Sequence, residues 1–264
     1  MKQFANAFFF MIELKTSKSV YFASDFHLGV PDLPSSRARE RRLVAWMNEV
    51  QANAGALFLL GDLFDTWMEY KHVVPKGFVR FQGALAQWAD AGIPIYIFSG
   101  NHDVWMRDYF SDEFGAQVFH KEQLLKINDT LLQVGHGDGL GPKDYGYKFL
   151  KSVMRNPVAQ WIYRRFHPNF GVGLASYFSQ LGQKHQEENN DVFLGPEREW
   201  LVQHCEQMIL KEPIEYFIFG HRHLPIEYTL SNQKSKYINI GDWMQFDSYA
   251  EFKDGTVTLK YYKS

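Results

Sequence analysis

Ser19-Val-Tyr-Phe-Ala-Ser-Asp25-Phe-His27 and Ala56-Leu-Phe-Leu-Leu-Gly61-Asp62-Leu-Phe-Asp65 are built alike. Each opens with a short run of β-branched, aromatic and aliphatic residues, which predicts a buried strand. Each then breaks into carboxylate and imidazole side chains, so chemistry begins where the strand stops. Three more stretches repeat the design: Ile93 to Phe98 before Gly100-Asn101-His102-Asp103, Leu131 to Val134 before Gly135-His136-Gly-Asp138, and Ile214 to Phe219 before Gly220-His221-Arg-His223. Between these runs, 36–53 carries Leu43, Ala45, Trp46 and Val50 at helical spacing with Arg and Glu on the other face, and 78–91 carries Phe81, Leu85 and Trp88. Strands alternating with helices predict an α/β fold with crossover helices packed on a sheet. In such sheets ligands gather at the carboxyl ends of strands, so five blocks far apart in sequence can converge on one centre.

An isolated Asp-x-His or Gly-Asn-His-Asp is ordinary loop polarity. Five such blocks in this order, mixing carboxylate and amide oxygens with imidazole nitrogens, predict a two-metal hydrolase. The candidate ligands are Asp25, His27, Asp62, Asn101, His136, His221 and His223. Oxygen and nitrogen donors together favour Mn, Fe or Zn over Ca without choosing among them. Cys205 is the only cysteine, which argues against a tetrahedral structural zinc and excludes an intramolecular disulfide. It falls in a predicted helix over 196–210, where it reads as a small buried hydrophobe.

The 264 residues, 45% of them hydrophobic, suffice for one large α/β domain over 1–264. A formal net charge of -2 gives no reason to expect nucleic acid, and no protein partner is inferred. The lone cysteine fits a reducing compartment. Residues 1–12 form an apolar N-terminal extension that includes Phe8-Phe-Phe10; its apolar stretch is too short to span a bilayer. It reads either as an upstream extension of the reading frame or as a weak interfacial anchor. Towards the other end, 224–230, 236–240, 247–252 and 256–262 predict strands, the last two joined by a Lys-Asp-Gly turn.

Residues 143–187 form a predicted helical lid insertion. From Lys143 to Lys184 there are seven bases against Asp144 alone, a balance of +6 that leaves -8 for the rest of the chain. Among the bases stand Phe149, Trp161, Tyr163, Phe166, Phe170, Tyr177 and Phe178. That mixture suits an anionic amphiphile or an anionic membrane surface. It equally suits a helical hairpin that buries its aromatics on the main domain and leaves its bases in water.

Taken together the blocks resemble the calcineurin-like metallophosphoesterase superfamily, from Ser19 to the C-terminal strands. The resemblance implies a four-layer αββα sandwich of two mixed sheets. It implies two divalent ions, one held by Asp25, His27, Asp62 and His223, the other by Asp62, Asn101, His136 and His221, with Asp62 bridging. Metal coordination lowers the pKa of water to about 7, so the implied reaction is hydrolysis of a phosphoester or phosphoanhydride. More narrowly, Asp25-Phe-His-Leu-Gly, Gly61-Asp-Leu-Phe-Asp-Thr-Trp67, His136-Gly-Asp-Gly-Leu140 with Asp144-Tyr-Gly-Tyr147, and the insertion are similar to the UDP-2,3-diacylglucosamine pyrophosphatases of lipid A synthesis. This implies manganese, a cytoplasmic enzyme peripheral on the inner membrane of a Gram-negative bacterium, and cleavage to UMP and 2,3-diacylglucosamine 1-phosphate. Its candidate substrate contacts are Asn101, Asp144, Tyr147, Arg164 and Arg165.

Two positions depart from that narrower pattern, which has Glu in place of Asp65 and Arg in place of His102. The pair present here matches the broader superfamily, in which this His, oriented by this Asp, stabilises or protonates the leaving oxygen. His102 and Asp65 are therefore the candidate catalytic pair. The alternative substrate class is a soluble nucleotide, nucleotide-sugar or phosphoprotein. A scaffold that had lost catalysis should lack ligands, and none of the seven is missing.

Overall fold

The computed structural model describes residues 10–14, 18–141, 145–174 and 192–263. Its strands form two six-stranded sheets. One runs β1 (Phe10–Ile12), β6 (Gln123–Ile127), β7 (Thr130–Gly135), β8 (Tyr216–Phe219), β10 (Lys236–Ile240) and β9 (Pro225–Thr229). The other runs β12 (Thr256–Tyr261), β11 (Ser248–Lys253), β2 (Ser19–Ala23), β3 (Ala54–Leu59), β4 (Ile95–Phe98) and β5 (Gln117–Phe119). Both are mixed: β2 to β5 are parallel, β11 and β12 pair antiparallel, and β7, β8 and β10 are parallel between antiparallel neighbours.

Side-chain alternation assigns the layers. Val20 and Phe22 of β2 and Ala56 and Phe58 of β3 face Leu132, Val134, Ile218 and Ile238 of the other sheet. The intervening Tyr21, Ala23, Leu57 and Leu59 meet α1 (Leu33–Gln51) and α2 (Val79–Asp90) through Leu43, Trp46, Phe81 and Trp88. On the far side Phe217, Phe219 and Tyr237 receive Leu201, Val202 and Cys205 of α7 (Trp200–Met208). The result is helix, sheet, sheet, helix. α1 begins three residues earlier than its apolar spacing predicts, because Asp32 caps it by accepting from the Ser35 amide at 2.8 Å.

Two expectations are corrected. Phe10–Ile12, read as the end of an apolar extension, pairs in parallel with Leu125–Ile127 as an edge strand, its Phe10 ring 4.9 Å from that of Tyr96. A three-residue strand is too short for any period to reveal; residues 1–9 lie outside the described residues. The second concerns α1, where the sequence pattern places Arg and Glu on the face away from the core. Arg39 and Glu40 are buried, Arg39 donating from Nη2 to the carbonyls of His27 and Val30 at 2.6 Å each, and Glu40 capping α2 at the Arg80 and Phe81 amides.

The insertion contributes α3's later neighbours in the chain: α3 (Tyr109–Phe114) belongs to the main domain, then come α4 (Tyr145–Met154), α5 (Pro157–Tyr163) and α6 (168–174). They dock on the loop that follows His102. Trp105 donates from Nε1 to the Met154 carbonyl at 2.7 Å and packs its ring 4.5 Å from Tyr163. Lys148 and Lys151, two of the seven bases of the insertion, are internal braces: Lys151 Nζ lies 2.6 Å from Asp138 Oδ2, and Lys148 Nζ donates to the Gly141 carbonyl.

Candidate metal centre

Asp25, His27, Asp62, His221 and His223 each leave their strand through a left-handed conformation, with φ of 54°, 41°, 52°, 69° and 50°. Such backbone costs a non-glycine residue roughly 1–3 kcal/mol and persists only where its surroundings fix it. Here the loops fix one another. The Asp25 and His27 amides donate to the carbonyls of Gly61 and Asp62 at 3.0 Å, extending the β2–β3 ladder past the strands. The Asp62 carboxylate accepts from the His102 amide at 2.9 Å, and Asp25 accepts from His221 at 3.0 Å. Gly100 is required by this closeness, since a Cβ there would strike the Asp62 carboxylate.

Six of the seven candidate ligands fall into two groups that share Asp62, and Asn101 joins the second through His136. Asp62 Oδ2 stands between them, 3.6 Å from His27 Nε2 and 3.2 Å from His136 Nε2. On one side His27 Nε2 lies 3.1 Å from His223 Nε2, which is 3.3 Å from Asp25 Oδ1. On the other, His136 Nε2 is 3.1 Å from Asn101 Oδ1, and the His221 ring centre is 5.1 Å from that of His136. Imidazole nitrogens converging on each other and on carboxylates repel as lone pairs unless protons or a cation lie among them. Nδ1 of His136 is 2.8 Å from the Leu60 carbonyl, which holds the proton on that nitrogen and leaves Nε2 as a donor to metal. Asp242 stands in the same relation to His223 Nδ1, at 3.4 Å. The donor set therefore fits divalent cations, and the buried clusters together with the fold suggest that such ions bind here.

Electrostatics in the metal-free chain agree. Burial favours the neutral form of His136, yet the Asp62 carboxylate beside it pushes its pKa up to about 10. Burial and the neighbouring His136 pull His221 down to about 3. Burial opposes ionisation of Asp62, but His136 and His102 outweigh it and hold its carboxyl well below the ordinary range.

His102 belongs to a third group with His27 and Asp65. Its Nδ1 is 3.1 Å from the Asp65 carbonyl and 3.5 Å from Asp65 Oδ1. Burial lowers its pKa, and Asp62 and Asp65 more than reverse this, to about 9. Among the candidate substrate contacts, Asn101 sits in the cluster. Asp144 lies outside the described residues, as does the Tyr147 side chain, although Tyr147 is on α4. Arg164 and Arg165 follow α5, the Arg165 guanidinium stacking 4.4 Å over the Trp161 ring.

Several working residues carry no assigned role in the sequence reading. Asp103 ties two loops by accepting from the Gly100 and Leu63 amides at 2.7 and 2.8 Å; burial, then the charge of Asp62, pushes it up to about 7. Arg39 fixes the His27 carbonyl from a helix. Asp242 was within reach, because Ile240-Gly-Asp242 repeats the strand, glycine, carboxylate pattern of the other blocks.

Comparison with known proteins agrees with this geometry. The family model for calcineurin-like phosphoesterases matches residues 18–225. A UDP-2,3-diacylglucosamine hydrolase of Porphyromonas gingivalis is 36% identical over 258 residues, 91% of this chain and 96% of that protein. Hydrolases of the same name from Serratia proteamaculans and Pseudomonas aeruginosa are each 27% identical, over 84% and 85% of this chain and 90% and 91% of theirs. With five strand-end blocks closing one buried cluster inside a sandwich of two mixed sheets, and a family match over most of its length, the chain belongs to the calcineurin-like phosphoesterases.

Proposed function

We propose that the chain is a dinuclear-metal hydrolase that cleaves the diphosphate of UDP-2,3-diacylglucosamine to UMP and 2,3-diacylglucosamine 1-phosphate, with manganese as its metal. Asp25, His27, Asp62 and His223 would hold one ion and Asp62, Asn101, His136 and His221 the other. Bound divalent cations supply Lewis acidity and lower the pKa of water to about 7. The chain's own residues do the rest. His102, its Nδ1 facing the Asp65 carbonyl and carboxylate, gives a proton to the oxygen that departs. Asp65 orients that imidazole through Nδ1, and the Asp103 carboxylate holds the Gly100 to His102 turn against the Asp62 loop.

The observation that carries the substrate assignment is the set of exposed apolar side chains of the insertion, which docks on the loop after His102. Phe149 is 73% exposed, Trp161 58% and Phe170 58%, with Val158, Ile162 and Phe166 also exposed. Large apolar side chains exposed along one stretch of chain mark a surface for an apolar partner. Acyl chains suit that surface, and so does the edge of an anionic bilayer, with Arg164 and Arg165 meeting its charge. The shared name of the relatives supports the same reading. Among the described residues no helix is long and apolar enough to cross a membrane. A cavity of about 480 Å³ lined by Val104, Met106, Arg107, Arg155, Pro157 and Gln160 lies where the insertion meets the main domain. The His102–Asp65 pair favours a second reading, a soluble phosphodiester substrate. Purified protein with Mn, offered UDP-diacylglucosamine, UDP-N-acetylglucosamine and a generic phosphodiester side by side, tests both. Equal efficiency on the unacylated nucleotide-sugar would overturn the lipid assignment.

A further inference from the structure

His221 and His223 flank Arg222 in sequence. The two imidazoles join the metal-ligand groups while the guanidinium bonds elsewhere. Arg222 is buried, at 8% exposure. Its Nε donates to both carboxylate oxygens of Glu199 at 3.2 Å, and its Nη2 donates to Glu199 Oε1 at 3.0 Å and to the Val192 carbonyl at 3.2 Å. Glu199, 2% exposed, is the residue before α7, yet its side chain makes no capping bond to that helix. Leu201, Val202 and Cys205 fasten α7 to the sheet directly afterwards. The guanidinium therefore grips a carboxylate mounted on an element that cannot easily shift.

Burying two charges is unfavourable unless the geometry is good, and a guanidinium fork against a carboxylate supplies it. What the pair holds is the short segment with two left-handed histidines, whose backbone would relax if released. His223 belongs to the Asp25, His27, Asp62 group and His221 to the Asp62, His136 group. One clamp outside the centre thus governs a ligand of each half.

We propose that Arg222 is a positioning residue for both metal sites, acting by fixing the His221–His223 backbone to Glu199. The proposal rests on the metal reading of the cluster given under Proposed function. Its test is Mn binding to metal-free protein, read by the spin resonance of free Mn, with far-ultraviolet circular dichroism as the check on folding. Wild type should take up two ions. Arg222→Met should keep its helix content and bind both ions about 10- to 100-fold more weakly, the effect typical of losing a partner that orients a ligand. Its turnover should recover as Mn is raised, which a general loss of structure would not allow. Glu199→Gln should weaken both sites less, and the double variant should be no worse than Arg222→Met, because the two changes break one interaction. Wild-type Mn affinity in Arg222→Met overturns the proposal. Should that variant fail to fold, unchanged affinity in folded Glu199→Gln overturns it equally. Wild type that takes up no Mn removes the metal reading, and this inference with it.

Discussion

The loops that carry the candidate ligands and the helical insertion touch at Lys151 and Trp105, yet they are held by opposite means. In the loops Asp25, His27, Asp62 and His136 are all under 5% exposed, and backbone amides of one loop bond carboxylates of the next. In the insertion, Phe149, Trp161, Ile162 and Phe170 are more than half exposed, and among the described residues its contacts to the main domain include the Trp105 indole, the Lys151 ammonium and Tyr70 against Gly171. The first region is over-determined and can hold strained backbone. The second leaves apolar area for something else to cover. Chemistry and substrate choice should then be separable by mutation: changes in the loops should affect every phosphoester alike, and changes in the insertion only acylated ones.

The largest expected effect is on the shared carboxylate. Asp62→Asn should remove nearly all turnover on any substrate and weaken uptake of both ions, because one change lowers the negative charge available to two cations. Gly100→Ala should act as severely, by driving a methyl group into that carboxylate. Metal analysis finding one ion per chain in fully active protein would refute the assignment. So would an Asp62→Asn enzyme impaired on only one substrate.

Next comes His102→Ala, expected to slow turnover by ~10²- to 10⁴-fold with metal content intact. Arginine at this position should do better than alanine, more so with Asp65→Glu, since fixed charge can stabilise a leaving oxygen although it cannot give up a proton. Equal rates in wild type and His102→Ala would leave the imidazole with a structural part only.

The two regions were also unequally legible in the sequence. β2 and β10 occur over the very residues their apolar runs mark, and each ligand sits where its run stops, because a two-residue period and a terminal glycine are local facts. β1, β5 and α3 escaped, being three to six residues long and fixed by neighbours rather than by their own pattern. Arg39 and Arg222 escaped for a related reason. A charged side chain reads as solvent-facing, and only the fold shows that His27 and Glu199 wait for it. In the insertion, composition could not separate a buried aromatic face from an exposed one. Nor could it tell Lys151, bonded to Asp138, from bases free to meet a membrane.

A smaller effect sharpens the comparison from the insertion's side. Replacing Trp161 and Phe170 with serine, or Arg164 and Arg165 with glutamate, should release the protein from anionic vesicles and raise KM for the diacylated substrate about 10- to 100-fold. Hydrolysis of a soluble phosphodiester should stay unchanged. Each buried methylene is worth about 0.8 kcal/mol, so removing four from the substrate should cost roughly two orders of magnitude in affinity. Vesicle sedimentation and steady-state kinetics on both substrates decide this. A matching loss on the soluble one would mean that the insertion merely supports the loops.

The smallest effect is on stability, and it falls on the loops alone. Without metal, His102 and His136 hold their protons to about pH 9 and about 10, burial being outweighed by Asp62, whereas in the unfolded chain they release them near 6.5. Their contribution is complete below 6.5 and is lost as pH rises through those values. His221 and His27 behave oppositely. Burial keeps His221 neutral down to about 3 and lowers His27 as well, so acid favours the unfolded chain as pH falls below 6.5. These histidines should therefore make melting of metal-free protein highest near pH 6.5 and lower on either side, with Asp103, held up at about 7, offsetting part of the loss in acid. Saturating Mn should flatten the alkaline side, because a ligand His136 has already given up the proton whose loss destabilises the free protein. Arg165 of the insertion is exposed and stacks on Trp161, away from these histidines in the chain, so Arg165→Glu should leave the profile as it is. An alkaline side that stays just as steep in Mn would show that His136 is not a metal ligand, and the two-ion centre would have to be redrawn around the other six.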